Sequence, residues 1–133
     1  MIRGINHLTF AVRDLDESLA FYVEALGLPA VARWDGGAYL LAGEDWITLI
    51  ADEDATPCPD YTHTAFTVAP EDFEAISRRA LEAGARVWQQ NQSEGESLYV
   101  LDPDGHKLEL RVSGLQARLA ADQEDPPPGM RFY

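Results

Sequence analysis

From Ile5 to Val12 the chain alternates residue by residue. Ile5, His7, Thr9 and Ala11 fall on one face of an extended segment, and Asn6, Leu8, Phe10 and Val12 on the other. A strand with Leu8, Phe10 and Val12 on one side needs an apolar partner, and the following residues supply it. Leu15, Leu19, Tyr22 and Leu26 recur at helical spacing, Asp14 with Glu17 has the form of a capping box, and Gly27 is placed to close the last turn. The pattern predicts a helix over about 14–26. Three strand-like runs follow at about 29–34, 38–42 and 45–50, punctuated by Asp35-Gly36-Gly37 and by Gly43.

The stretch Asp52 to Asp60, with Pro57 and Pro59, is polar and broken, and reads as a linker. Beyond it the same order returns. A strand at 63–68 is followed by a helix from Pro70 to Ala83, with Phe73, Ile76, Ala80 and Ala83 on one side and Gly84 at its end. Strands near 86–88, 97–101 and 107–112 complete the set. The last strand places Lys107, Glu109 and Arg111 on one face and Leu108, Leu110 and Val112 on the other. The strings His7-Leu8-Thr9-Phe10-Ala11-Val12 and His63-Thr64-Ala65-Phe66-Thr67-Val68 repeat His, Phe and Val at matching places. We therefore expect an α+β fold of two βαβββ modules, about 1–51 and 61–112, in one domain spanning 1–133. A tail over 113–133 carries a short amphipathic piece around Leu115 to Ala121 and then Pro126-Pro127-Pro128-Gly129. Each sheet should have one face packed on its helix and one polar face lining a concave site.

Composition narrows the partners. With 46% apolar residues among 133, the chain can fill a core. Its 23 acidic against 10 basic residues give a formal charge of −13. That charge disfavours non-specific binding to nucleic acid or anionic membrane, neither of which is expected as a partner, and an anionic substrate would need a local group of cations. The single cysteine, Cys58, has no partner for an internal disulfide. Met1 to Ile5 lead straight into a strand pattern with no apolar leader or membrane-length run, so the cytoplasm is the expected compartment.

Three side chains at cavity-facing strand positions form the sharpest chemical set: His7, His63 and Glu109. Two imidazoles and a carboxylate suit Mn²⁺, Fe²⁺, Ni²⁺ or Zn²⁺ and leave coordination positions for substrate. The repeat places the two histidines at symmetric positions, where they could share one ion. His106 lies in Asp102-Pro103-Asp104-Gly105-His106, a turn composition, and is expected to be exposed.

Paired modules with this set resemble the vicinal oxygen chelate (glyoxalase, bleomycin resistance, dioxygenase) superfamily. Several strings narrow the resemblance: Trp34-Asp35-x-Gly37-Ala38-Tyr39-Leu40, Asp60-Tyr61-Thr62-His63-x-Ala65-Phe66, Asn91-x-Ser93-Glu94-Gly95-x-Ser97-x-Tyr99, Asp102-Pro103-Asp104-Gly105-His106-x-Leu108-Glu109 and Gly129-Met130-x-Phe132. They are similar to the fosfomycin-resistance thiol transferases of that superfamily, nearly end to end. The resemblance implies a Mn²⁺-dependent enzyme that opens the epoxide of fosfomycin by addition of a thiol such as glutathione. It also implies a domain-swapped homodimer whose active sites are built across chains.

Carried over to this chain, the resemblance gives the metal to His7, His63 and Glu109. Thr9 would hydrogen-bond the oxirane oxygen, Tyr39 would lie by the incoming thiol with Trp34, and Trp46 and Thr48 would wall the substrate pocket. Ser93, Tyr99 and Arg118 would bind the phosphonate. A lysine that the family adds to them is replaced here by Gln89. A loop of Asn91, Ser93, Glu94, Gly95 and Ser97 would hold K⁺. Basic or polar positions of the family's glutathione channel correspond to Gly36, Ile50, Gln89 and Gln92. Glu44 stands where related fosfomycin hydrolases carry a general base, so a hydrolase is the alternative reading. A glyoxalase- or dioxygenase-like metalloenzyme comes third. A non-enzymatic antibiotic-binding protein is a further rival, against which the complete ligand set counts.

Overall fold

A computed structural model describes all 133 residues. Strand β1 (His7–Val12) leads into helix α1 (Leu15–Leu19), which runs on without a break as a π-helical stretch, Ala20–Ala25. Strands β2 (Ala30–Trp34), β3 (Gly37–Ala42) and β4 (Asp45–Ala51) complete the first module. The second has β5 (Thr64–Thr67), a 3₁₀ turn at Pro70–Asp72, α2 (Phe73–Glu82), β6 (Val87–Gln89), β7 (Ser97–Leu101) and β8 (Lys107–Arg111). Helix α3 (Leu115–Glu124) begins the tail and runs past the expected end at Ala121.

The two sheets have the same order, β1-β4-β3-β2 and β5-β8-β7-β6. In each, the first strand pairs in parallel with the last, because the intervening helix carries the chain across, while the other pairs are antiparallel. Register irregularities also match, between Ala30 and Ala32 in one sheet and between Val87 and Gln89 in the other.

Asp14 caps α1 as expected, its side chain accepting the Glu17 N–H at 3.0 Å. The helix then departs from the expected single α-helix. Leu26 N donates to Phe21 O, five residues back, which is π-helical bonding. The neighbours Phe21 and Tyr22 are both buried in this stretch. Gly27 ends the helix with φ of 77°.

One cluster of 17 buried residues draws on both modules, from Phe10, Tyr22, Leu40 and Leu49 to Ala80, Val100, Leu108 and Leu110. The helix-covered faces of the two sheets thus share a core. Polar bonds close the seam. Tyr22 Oη donates to Asp102 Oδ2 at 2.6 Å, Arg13 N to Asp104 Oδ1 at 2.9 Å, and Arg79 Nη2 to Glu24 O at 2.6 Å. His106 is not the free turn residue its local sequence suggests. Its Nε2 meets Ala11 O at 2.7 Å and its ring lies 5.5 Å from that of Phe10, so it clasps the first module.

With the helices and seam on one side, the polar faces of both sheets point away from the shared core. A cleft of about 770 Å³ runs between the edge strands β1 and β5, lined by Leu8, Trp46, Ala65 and Phe66 among others.

Candidate metal centre in two half-sites

The first polar face is an aromatic row. His7 stacks on Trp46 at 4.4 Å, Trp46 meets Tyr39 edge-on at 5.2 Å, and Tyr39 meets Trp34 at 4.8 Å. Strand register explains the row, since His7 pairs with Trp46 and Thr9 with Thr48, which in turn pairs with Tyr39. Gly37 makes room for it: a Cβ there would lie 2.4 Å from Leu49 O and 2.7 Å from the Trp34 ring. Thr9 is exposed, whereas Thr48 is buried with its Oγ1 lacking any hydrogen-bond partner. Glu44 sits exposed in the β3–β4 turn, at the lip of the cleft beside Trp46.

The second face holds His63, one residue before β5, with Glu109 at the centre of β8. His63 Nε2 lies 3.1 Å from Glu109 Oε2. Tyr61, Trp88 and Tyr99 surround the imidazole at ring distances of 5.1, 5.4 and 6.2 Å. Tyr99 pairs with Glu109 across β7 and β8. Burial and the Glu109 carboxylate push the Tyr99 hydroxyl above its ordinary range, so it remains a donor at neutral pH. Burial also works to raise Glu109. The hydrogen-bonding contacts with Ser97, His63 and Tyr99 and the charge of Arg111 outweigh it, and the carboxyl sits below its usual value, ionised and ready to ligate.

Both histidines are oriented for a metal. His7 Nδ1 is 2.7 Å from Asn6 Oδ1, and His63 Nδ1 is 2.9 Å from Tyr61 O. Each oxygen accepts the Nδ1 proton, which leaves the Nε2 lone pair outward, the tautomer that metal-binding histidines adopt. His63 then has acceptor oxygens at both nitrogens, an arrangement that needs either an imidazolium or a cation between Nε2 and Oε2. Ligand atoms about 2.1 Å from one ion at a right angle are about 3 Å apart, so the pair fits a divalent metal. Within one chain, however, no third His, Cys, Asp or Glu joins them. His7 stands on the other sheet. One chain thus divides the three expected ligands between its two polar faces, His7 on one and His63 with Glu109 on the other.

The halves correspond position by position: His7 with His63, Tyr39 with Tyr99, and Thr48 with Glu109 by their shared place in the strand pairing. Only the second module therefore offers a carboxylate at that place.

The loop before β7 is tied to a different cation from the expected one. Arg111 Nη1 donates to Ser93 Oγ at 3.1 Å, Ser97 Oγ at 3.2 Å and Glu109 Oε1 at 3.4 Å, and Nη2 pairs with the Glu94 carboxylate. Gly95 O accepts from Asn91 Nδ2 at 2.9 Å. Of the five residues expected to enclose K⁺, three have oxygens engaged already, the Glu94 carboxylate, Ser97 Oγ and Gly95 O, so the set as arranged does not fit a free ion. Arg118, expected at the phosphonate, reaches Glu94 Oε2 at 2.8 Å and lines a pocket with Ser93, Tyr99, Gln89, Gln92 and Tyr61. Gln89 Nε2 donates to Tyr61 Oη at 2.9 Å.

Asn6, Tyr61 and Trp88 belong to the site without having been singled out in the sequence. Alternation set Asn6 on the face opposite His7, Tyr61 precedes its strand, and Trp88 lies in a three-residue strand too short for a periodic signal. For Asn6 and Tyr61, nearness to His7 and His63 in the sequence was the available cue, and Trp88 had none.

The model for the Glyoxalase/Bleomycin resistance protein/Dioxygenase superfamily matches residues 4–110. The glutathione transferase FosA of Serratia marcescens is 55% identical over 99% of this chain and 96% of that protein. The metallothiol transferase FosB of Shouchella clausii is 34% identical, over 96% of this chain and 92% of that protein. Among solved structures, a mutant of the fosfomycin resistance protein FosX from Listeria monocytogenes, complexed with Mn(II) and 1S,2S-dihydroxypropylphosphonic acid, aligns with a TM-score of 0.79 at 27% identity. That alignment covers 91% of this chain and 98% of the other.

Proposed function

We propose that this chain, which belongs to the Glyoxalase/Bleomycin resistance protein/Dioxygenase superfamily, confers fosfomycin resistance by adding the thiol of glutathione to the epoxide of the drug. The observation that carries the reading is the His63–Glu109 pair, poised 3.1 Å apart with the histidine tautomer set from behind, in a chain similar end to end to a glutathione transferase FosA.

The site is completed in a homodimer, where the His7 face of one chain meets the His63–Glu109 face of its partner. A divalent ion held by these three residues, Mn²⁺ in this reading, supplies Lewis-acid stabilisation of the negative charge that develops as the ring opens. Ser93, Tyr99 and Arg118 bind the phosphonate, and Thr9 donates toward the oxirane oxygen. Trp46 and Thr48 enclose the small carbon skeleton. The thiol approaches along the Trp34–Tyr39 row, with the Tyr39 hydroxyl holding its sulfur. A C–S bond forms as the C–O bond breaks, and the thiol proton ends on the new hydroxyl, so the adduct balances without an oxidant or reductant. The cytoplasm is the proposed compartment, and no helix is long and apolar enough to cross a membrane.

Water as the nucleophile is the second reading, motivated by the exposed Glu44 carboxylate at the lip of the cleft. Mass spectrometry of fosfomycin incubated with the Mn²⁺-loaded protein, with and without glutathione, separates the two. The expected product is the glutathione adduct. A diol formed without glutathione and lost in Glu44→Gln would give the site to hydrolysis, and unchanged drug in both samples would remove either activity.

A further inference from the structure

We propose that Arg111 is a built-in monovalent cation: its guanidinium fills the Asn91–Ser97 loop and supplies, beside the metal centre, the positive charge expected there from dissolved K⁺. The inference rests on the fosfomycin reading for its kinetic consequence but on geometry for its substance.

Arg111 lies on β8 two residues beyond Glu109, hence on the same sheet face, with its side chain mostly buried. All three of its nitrogens are used. Nε donates to Ser113 O at 2.9 Å, Nη1 reaches Ser93 Oγ, Ser97 Oγ and Glu109 Oε1, and Nη2 reaches the Glu94 carboxylate and, at 3.5 Å, Glu94 O. These hydroxyl, carboxylate and carbonyl oxygens are the donors a hard monovalent ion seeks. A guanidinium carries the same single charge, cannot lose it near neutral pH, and presents a fixed fork of donors. A potassium ion entering this loop would have to displace those bonds and sit against a like charge.

The guanidinium also orders the metal half-site. Together with Ser97, whose Oγ donates at 2.7 Å, it holds Glu109 Oε1, while Oε2 is left facing His63. Arg111 is thus a positioning residue for Glu109 as well as a charge. Its charge matters more because Gln89 brings none, and because Arg118 shares the one Glu94 carboxylate with it. Without Arg111, Glu94 Oε1 and the acceptor lone pairs of the Ser93 and Ser97 hydroxyls would be left facing an oxygen-lined space of the kind that binds K⁺, with Glu94 Oε2 still on Arg118.

The test compares wild type, Arg111→Ala and Arg111→Lys as Mn²⁺-loaded dimers in potassium and in tetramethylammonium buffers. Adduct formation is read by mass spectrometry, and cation binding by thallium(I) NMR, thallium standing in for potassium. Wild-type rates should agree within about twofold in the two buffers, with no saturable thallium site, since the charge is already in place. Arg111→Ala should lose about 10- to 100-fold in tetramethylammonium, the size expected for a charge-assisted contact. Potassium should restore much of that loss in a saturable way, and the variant should gain a thallium site. Arg111→Lys, which keeps the charge without the fork, should fall between the two and gain no such site.

A wild type that potassium accelerates severalfold, or that binds thallium saturably, would overturn the proposal even if neither variant folds. So would an Arg111→Ala protein that folds and acquires no cation dependence. If no chain forms adduct under any condition, the fosfomycin reading fails, and the thallium measurement still decides the role of Arg111.

Discussion

Tyr22 is wholly buried, and its hydroxyl donates to Asp102, a carboxylate that also accepts the backbone N–H groups of Asp104 and His106. Removing the hydroxyl strands part of that acceptor in the seam. Tyr22→Phe is expected to cost about 1–3 kcal/mol at pH 7, measured by urea unfolding. Burial, followed by the charge of Asp102, raises the tyrosine well above its ordinary pKa of 10.0. In the window above that value the unfolded chain releases a proton that the folded chain keeps, so wild-type stability falls as pH rises there. The variant has no such proton, and the stability gap between the two proteins should narrow above about pH 10. A gap that stays constant up to pH 11 would show that the folded tyrosine ionises normally. Glu109 supplies a residue-scale test of the metal. Loss of a residue that merely supports a ligand weakens metal binding by about 10- to 100-fold, so Glu109→Ala should weaken Mn²⁺ binding by at least about 100-fold in titrations followed by paramagnetic resonance.

At the scale of elements, Gly37 governs the first polar face. A methyl group there meets backbone oxygen on β4 and the Trp34 ring at once, and backbone cannot give way as a flexible side chain would. Gly37→Ala is expected to destabilise the chain by about 1–3 kcal/mol and to shift tryptophan emission as Trp34 leaves Tyr39. Unchanged emission with an unchanged melting point would show that the β3–β4 pair yields instead. Much of this level was legible in the sequence. Alternation in β1 and β8 assigned faces correctly, and the repeated His-Phe-Val spacing foretold the duplicated topology. The π-helical stretch was not legible, because Leu15, Leu19, Tyr22 and Leu26 fit an ordinary helical stripe and nothing in it signals an extra residue in the turn. His106 was misjudged for a related reason: turn composition describes the backbone near a residue and not how far its ring reaches. Alternation placed Arg111 beside Glu109, but its engagement of a loop more than ten residues earlier depends on packing that no periodicity reports.

At the scale of the whole molecule, the two polar faces look away from their shared core, and a chain by itself carries His7 on one face and His63 with Glu109 on the other. If one chain supplies His7 and its partner supplies His63 with Glu109, two inactive variants can repair each other. In a mixture of His7→Ala and Glu109→Ala, each heterodimer has one wholly wild-type site and one doubly broken site. Random exchange should therefore restore about a quarter of wild-type activity after the subunits are unfolded and refolded together. No recovery would place the complete site within a chain. The seam within each chain has its own consequence. Since 17 buried residues and the clasps of Tyr22, Arg13 and His106 already unite the modules, the peptide link between them is a tether whose continuity the fold scarcely requires. Residues 56–62 run largely exposed over the surface, and the linker is held at two points, by Arg13 Nε on Ala55 O at 3.0 Å and by Lys107 Nζ on Cys58 O at 2.9 Å. A protease that cuts near Cys58 should leave two fragments of each chain that elute together and keep their activity, every subunit rebuilt from two pieces of a single gene product.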